Sequence, residues 1–216
     1  ILEKGIPRCD IFFDKERHME FDHRVRSTYS IPESDRIILY APTYRDNELN
    51  EFQLELNLQK LYEQLHGEYV IVLRLHPAIK NVPDYNKMYP DFVLNYSTPD
   101  YDINELLVVA DILITDYSSI SYEFSLLRKP MIFFAYDLAE YTRDRGLWDR
   151  YENMVPGPVV NNTEAIIDLI KENSFDMSMI EEYANKWNKY SKGHSSENLI
   201  SYLFDEKTIL SKQRAL

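Results

Sequence analysis

Three short groups of residues in this chain join an expected turn position to side chains that suit phosphate. In Thr115-Asp116-Tyr117-Ser118-Ser119, the apolar run Ile112 to Ile114 stops at a polar group. Ile120, Phe124, Leu126 and Leu127 then recur at a mainly helical spacing. Asp116, Ser118 and Ser119 are therefore expected where a strand hands over to a helix N-terminus. The first N–H groups of a helix lack partners and its dipole favours negative charge, so such a place holds an anion well. Plain N-capping by Asp or Ser is the alternative reading of the same residues. Thr43-Tyr44-Arg45-Asp46 is the second group and His76-Pro77 the third. A cationic Arg45, a titratable His76 and a hydroxyl-rich helix start suit a phosphate or diphosphate.

The elements that must position these groups alternate along the chain. Short apolar strands are expected at Ile37 to Tyr40, Tyr69 to Leu75, Phe92 to Leu94, Ile112 to Thr115 and Met131 to Ala135. Between them, Leu54, Leu58, Leu61, Tyr62 and Leu65 have helical spacing up to a stop at Gly67, and Ile103, Leu106, Leu107 and Ala110 suggest a second helix. Helices over Thr163 to Glu172, Met177 to Lys189 and Ser195 to Phe204 finish the chain. Strands that are apolar throughout and separated by helices mean a parallel sheet covered on both faces, a doubly wound α/β domain. Such sheets bind ligands at the carboxyl ends of their strands. Thr43, Arg45, His76, Asp116, Ser118, Ser119 and the pair Tyr136-Asp137 then fall on one rim.

Composition narrows the choice. Glycine occurs five times, and neither a dinucleotide-binding nor a P-loop glycine pattern is present. The net charge of −12 argues against nucleic acid or an anionic bilayer as a direct partner. A single cysteine, Cys9, excludes an internal disulfide and a cysteine metal cluster. The five histidines show no metal-ligand spacing, so no metal is expected; His18, His23 and His66 sit in polar helical stretches and read as structural or surface residues. Asp10, Asp14, Glu16 and Glu20 read as a solvated face. No apolar run approaches the roughly 18 residues of a membrane helix, and no signal peptide is evident, so a reduced, cytoplasmic setting is expected.

Four motifs in register carry a family resemblance. Gly5-Ile6-Pro7-Arg8-Cys9-Asp10, Tyr40-Ala41-Pro42-Thr43-Tyr44-Arg45-Asp46, Arg74-Leu75-His76-Pro77 and Thr115-Asp116-Tyr117-Ser118-Ser119 occur in that order. Together with Lys129-Pro130 and Tyr136-Asp137 they resemble the CDP-glycerol glycerophosphotransferase family, the teichoic acid polymerases of Gram-positive bacteria. The resemblance implies a Rossmann-like domain, the C-terminal half of a GT-B-type fold, that binds the donor nucleotide. On that basis residues 1–30 form a linker or inter-domain segment, 31–205 the CDP-glycerol-binding domain and 206–216 a tail. The start at Ile1, without methionine, is expected of an excised domain.

The implied reaction is transfer of glycerol phosphate from CDP-glycerol to a teichoic acid primer or polymer, with CMP leaving and no cofactor. His76 is the implied catalytic residue. Thr43, Arg45, Asp116, Ser118, Ser119, Glu123, Ser195 and Ser196 are the implied substrate-binding residues, with the serines on the diphosphate, Arg45 as a second clamp and Glu123 on the ribose. The acceptor is expected on an upstream domain, and the whole protein at the cytoplasmic face of the membrane, peripherally and without insertion by this segment. Three departures from the family pattern stand out. The family's second essential histidine has a glycine fourteen residues on; Pro32, Ile37, Lys80, Pro90 and Thr208 occupy that distance from the five histidines here. Cys9 stands where the family more often has Asn. Lys192-Gly193-His194-Ser195-Ser196 takes the place of a segment usually reading Asp-Gly-x-Ala-Ser. Two other readings stay open: a donor domain for CDP-ribitol or a nucleotide-sugar, and a non-catalytic nucleotide-binding module.

Overall fold

The computed structural model describes residues 2–45, 53–98 and 101–204; Asp46 and the 206–216 tail lie outside them. Six strands form one parallel sheet: β1 (Arg36–Tyr40), β2 (Tyr69–Leu73), β3 (Val93–Asn95), β4 (Ile112–Thr115), β5 (Met131–Phe134) and β6 (Val159–Val160). Their spatial order is β3-β2-β1-β4-β5-β6. The order reverses between β1 and β4, which places the ligand crevice of a doubly wound fold outside the carboxyl ends of those two strands.

The strands are apolar throughout because both faces are covered. Ile37, Leu39, Val70, Val72, Leu113, Met131 and Phe133 point to one core, and Ile38, Tyr40, Ile71, Leu73, Ile112, Ile114, Ile132 and Phe134 to the other. The first core is closed by α1 (Lys15–Tyr29), α4 (Ile103–Val109), α5 (Ile120–Phe124) and α9 (Met177–Trp187), through residues such as Val25, Leu107, Phe124 and Ile180. The second is closed by α2 (Leu58–Leu65) and α8 (Thr163–Glu172), through Leu61, Leu65, Ile166 and Ile170, with Tyr85 of α3 (Tyr85–Met88). The helix expected from Leu54 begins at Leu58, because the Asn57 side chain caps it. Lys129, just before β5, donates its ammonium to the carbonyls of Val108 and Ala110 at the end of α4. Burial pushes its pKa down.

Residues 7–29, assigned from the sequence to an inter-domain segment, are folded against the domain. Pro7–Phe13 is a 3-10 turn that buries Cys9 and Phe12, and α1 follows, capped by Asp14. The helix α1 is strongly polar and buries only Phe21 and Val25, so its hydrophobic stripe is too narrow to announce itself. The remaining helices are α6 (Leu138–Arg145), α7 (Tyr151–Met154) and α10 (Ser195–Phe204). Burial of Cys9 pushes its thiol pKa up, which keeps it protonated and unreactive.

Candidate active site

The crevice is built by bonds that tie the ends of β1 and β4 together. Past the last strand residues, the Ala41 N–H donates to the Ile114 carbonyl at 3.0 Å and the Thr115 hydroxyl to the Ala41 carbonyl at 2.7 Å. The Thr43 N–H then donates to the Asp116 carboxylate at 2.8 Å. Asp116 thus orients the β1 loop; it does not cap α5, whose N-cap residue is Ser119.

Arg45 closes that arrangement. Its guanidinium donates to Asp116 at 3.0 Å and to both carboxylate oxygens of Asp137, at 2.7 and 3.0 Å, and also to the Thr43 carbonyl. The rings of Tyr117, Tyr136 and Tyr141 lie 5.2, 5.5 and 5.6 Å from it. The Arg45 side chain is 11% exposed and that of Asp116 1%. The expected phosphate clamp is therefore a strut: every donor atom of Arg45 is committed inside the rim. Burial pushes the Asp116 pKa up, and one arginine shared with Asp137 does not cancel it. Burial acts the same way on Asp137, but its hydrogen bonds from Arg45 and Tyr117 outweigh it and hold that carboxyl below the ordinary range. The two carboxylates in turn hold Arg45 charged against burial.

His76 stands on the same rim, exposed, where β2 ends. Its ring packs on Tyr44 with centroids 4.5 Å apart, so the loops after β1 and β2 meet there. The Ala78 N–H donates to Nδ1 at 3.2 Å, which puts the proton of the neutral ring on Nε2. Arg74 supports this turn from behind: its guanidinium donates to the carbonyls of Tyr96, Thr98 and Tyr101, fastening the loop after β3.

Ser118 and Ser119 complete the rim at the start of α5. The Ser118 hydroxyl accepts weakly from the Ile120 N–H at 3.4 Å, and Ser119, exposed, makes no side-chain capping bond. The helix is only five residues long before it tightens into the 3-10 turn Ser125–Leu127. Its macrodipole is correspondingly modest, so the segment offers local donors, two hydroxyls and first-turn N–H groups, more than a long-range field. Glu123, one turn further, is 7% exposed and pairs with Arg8.

Ser195 and Ser196 are engaged elsewhere. Their N–H groups both donate to the Asp10 carboxylate at 2.8 Å, so Asp10 caps α10. This corrects the reading of Asp10 as part of a solvated face. The Ser195 side chain is buried against Gly5, where a Cβ would come within 2.2 Å of the hydroxyl oxygen. His194 is exposed beside Glu197. The Nε2–H of His18 donates to the Ile11 carbonyl at 2.8 Å, and His66 packs on Tyr62. Among the described residues no cluster of His, Cys, Asp and Glu is able to hold a metal ion, and no helix is long and apolar enough to cross a membrane. Arg8, the Asp10 cap and the Arg74 clamp were beyond sequence reasoning; the only signal was their place inside quoted motifs.

Comparison with known proteins follows this geometry. The sequence profile of the CDP-Glycerol:Poly(glycerophosphate) glycerophosphotransferase family matches residues 1–205. A teichoic acid glycerol-phosphate primase of Bacillus subtilis (strain 168) is 39% identical over 203 residues, covering 94% of this chain and 51% of the relative. A teichoic acid poly(ribitol-phosphate) polymerase of Bacillus spizizenii is 34% identical over 206 residues, covering 94% and 33% respectively. Among solved structures, a His-to-Asn variant of the wall teichoic acid polymerase TagF soaked with CDPG superposes with a TM-score of 0.83 at 30% identity, covering 98% of this chain and 53% of that one. The chain thus spans about half the length, or less, of the proteins it matches.

Proposed function

The chain belongs to the CDP-glycerol:poly(glycerophosphate) glycerophosphotransferase family, and from that footing we propose that it is the donor-binding part of an enzyme that moves glycerol phosphate from CDP-glycerol to a teichoic acid primer or polymer. The observation that supports this most is that Thr43, His76, Ser118 and Ser119 all follow the carboxyl ends of β1, β2 and β4, where the Asp116–Arg45–Asp137 cluster fixes the β1 loop and Tyr44 of that loop packs on His76. A diphosphate seated there meets hydroxyl and amide donors on one side and the His76 ring on the other.

In this reading an acceptor hydroxyl attacks the glycerol-bearing phosphorus. The new P–O bond forms, the bond to CMP breaks, and the acceptor proton passes to a base outside this chain. Negative charge grows on the leaving CMP and the phosphoryl oxygens, so positioned donors do most of the work. The Nε2–H of His76 donates to the diphosphate and stabilises the charge that grows on departing CMP. Ser118 and Ser119 hold the phosphates, Glu123 accepts from the ribose hydroxyls, and Thr43 lines the nucleotide side. Arg45 and Asp116 set the shape of the rim. The acceptor sits on an upstream half of GT-B type, and the whole protein works peripherally at the cytoplasmic face of the membrane.

Glycerol and ribitol differ only at the polyol end, away from the cytidine diphosphate. The resemblance to a ribitol-phosphate polymerase makes CDP-ribitol the second reading. Turnover of the whole enzyme with each donor decides between them: CMP release from CDP-glycerol alone supports the first, and release from CDP-ribitol alone replaces it with the second. Release from neither, with CDP still bound, returns this chain to a non-catalytic nucleotide module.

A further inference from the structure

Arg8 is assigned no role above, although it belongs to the first motif and reaches the rim. It sits on the Pro7–Phe13 turn, which is stitched to the end of the chain. The Asp10 carboxylate receives the N–H groups of Ser195 and Ser196, and the Ile6 N–H donates to the Ser191 hydroxyl at 3.1 Å. Gly5 has φ +79, and a Cβ there would lie 2.4 Å from the Tyr190 carbonyl oxygen, so the two segments touch backbone to backbone. From this fixed base, Arg8 Nη2 donates to Oε1 of Glu123.

We propose that Arg8 is a positioning residue for nucleotide recognition: by holding Oε1, it turns Oε2 of Glu123 toward the ribose and so sets the preference for a nucleotide with both sugar hydroxyls. This rests on the reading of the crevice as a cytidine-nucleotide site. A carboxylate has about four acceptor positions on its two oxygens, and a single donor on one of them removes rotamer freedom while leaving the other oxygen to bind. The Glu123 side chain is 9% exposed and the Arg8 side chain 65%. Such a half-exposed pair adds little to folding, so an arginine anchored this firmly and placed on this carboxylate is explained by orientation better than by stability. The bonds at Ile6 and Asp10 fix the backbone on either side of Arg8, and so the point from which its side chain starts.

The test is titration calorimetry of this chain with CDP and with 2′,3′-dideoxy-CDP, beside melting curves. The wild-type chain is expected to prefer CDP by a factor on the order of 10, the effect of a hydrogen bond to a charged group. Arg8→Ala should lower that preference severalfold by weakening CDP alone, with an unchanged melting temperature, and Arg8→Lys should restore part of it. Glu123→Gln should lose the preference, and adding Arg8→Ala to it should change nothing further. Equal weakening of both nucleotides by Arg8→Ala, or a preference unchanged by it, overturns the inference while leaving the site reading intact. Absence of binding by the wild-type chain overturns both.

Discussion

His76 and Tyr44 pack ring on ring, 4.5 Å apart, across the gap between the loops after β2 and β1. Neither residue belongs to the hydrophobic core, and both lie exposed on the rim. Their contact joins two loops at the crevice mouth, and it sets where the Nε2–H of His76 stands.

His76→Ala in the whole enzyme should lower turnover by a factor on the order of 10² to 10⁴, the range for a general acid or charge-stabilising group. The melting temperature should barely move, since the side chain is exposed. Tyr44→Ala should give a smaller fall in turnover with the same melting curve. A large loss of folding in His76→Ala, with residual activity tracking the folded fraction, would make the residue structural.

Ser118→Ala and Ser119→Ala should each weaken CDP binding by roughly 1–3 kcal/mol, as expected for a hydrogen bond to a charged group. CMP has one phosphate fewer and should lose less wherever the serine meets the distal phosphate. Calorimetry with CDP, CMP and cytidine measures this. Equal losses for CDP and cytidine would place the diphosphate elsewhere and leave these serines as ordinary helix-start residues.

Asp116 holds the β1 loop in place from a buried position, so its removal should act on stability. Asp116→Ala leaves the Thr43 N–H unpaired and Arg45 with one carboxylate, at a cost of about 3 kcal/mol. Asp116→Asn keeps an acceptor for Thr43 but loses the ion pair, and should cost about 1.5 kcal/mol. Denaturant unfolding of both variants checks the order. Wild-type stability in Asp116→Ala would contradict the strut assignment.

The Asp10 cap predicts a pH dependence. Burial alone would raise its pKa, but the Ser196 and Ser195 N–H groups outweigh that and hold it below the ordinary 3.8. A depressed carboxyl stabilises the fold fully above its unfolded pKa, and the stabilisation drains away as pH falls through the folded value. The stability gap between wild type and Asp10→Ala should therefore be constant from pH 7 to about 5 and close below about 4. A gap that widens in acid would reverse the sign and reject the cap.

Much of this was readable from the residues. The strands were, since a parallel sheet buried on both faces leaves uninterrupted runs such as Ile112–Thr115 and Met131–Phe134. The late helices α8 and α10 were too, because the Asn162 side chain caps one and the left-handed turn at Gly193 precedes the other. The polar α1 was not, since two buried residues in fifteen make no visible stripe. The rim positions followed from topology, but the commitment of Arg45 did not: whether a strand-end arginine meets a ligand or two carboxylates depends on Asp137, 92 residues away. Ser195 and Ser196 were implied only by the family resemblance, and the partner of their N–H groups, Asp10, lies some 185 residues distant. Pairings at such separations are set by the fold, and no local spacing encodes them.

The central claim is that the β1/β4 crevice of this chain binds a cytidine diphosphate through its phosphates. Calorimetric titration of the wild-type chain with CDP, CMP and cytidine tests it most directly. The predicted result is an ordered series, CDP tightest, CMP weaker and cytidine weakest, with the CDP affinity falling in Ser119→Ala. Equal affinities for the three, or no binding of CDP at all, would contradict it.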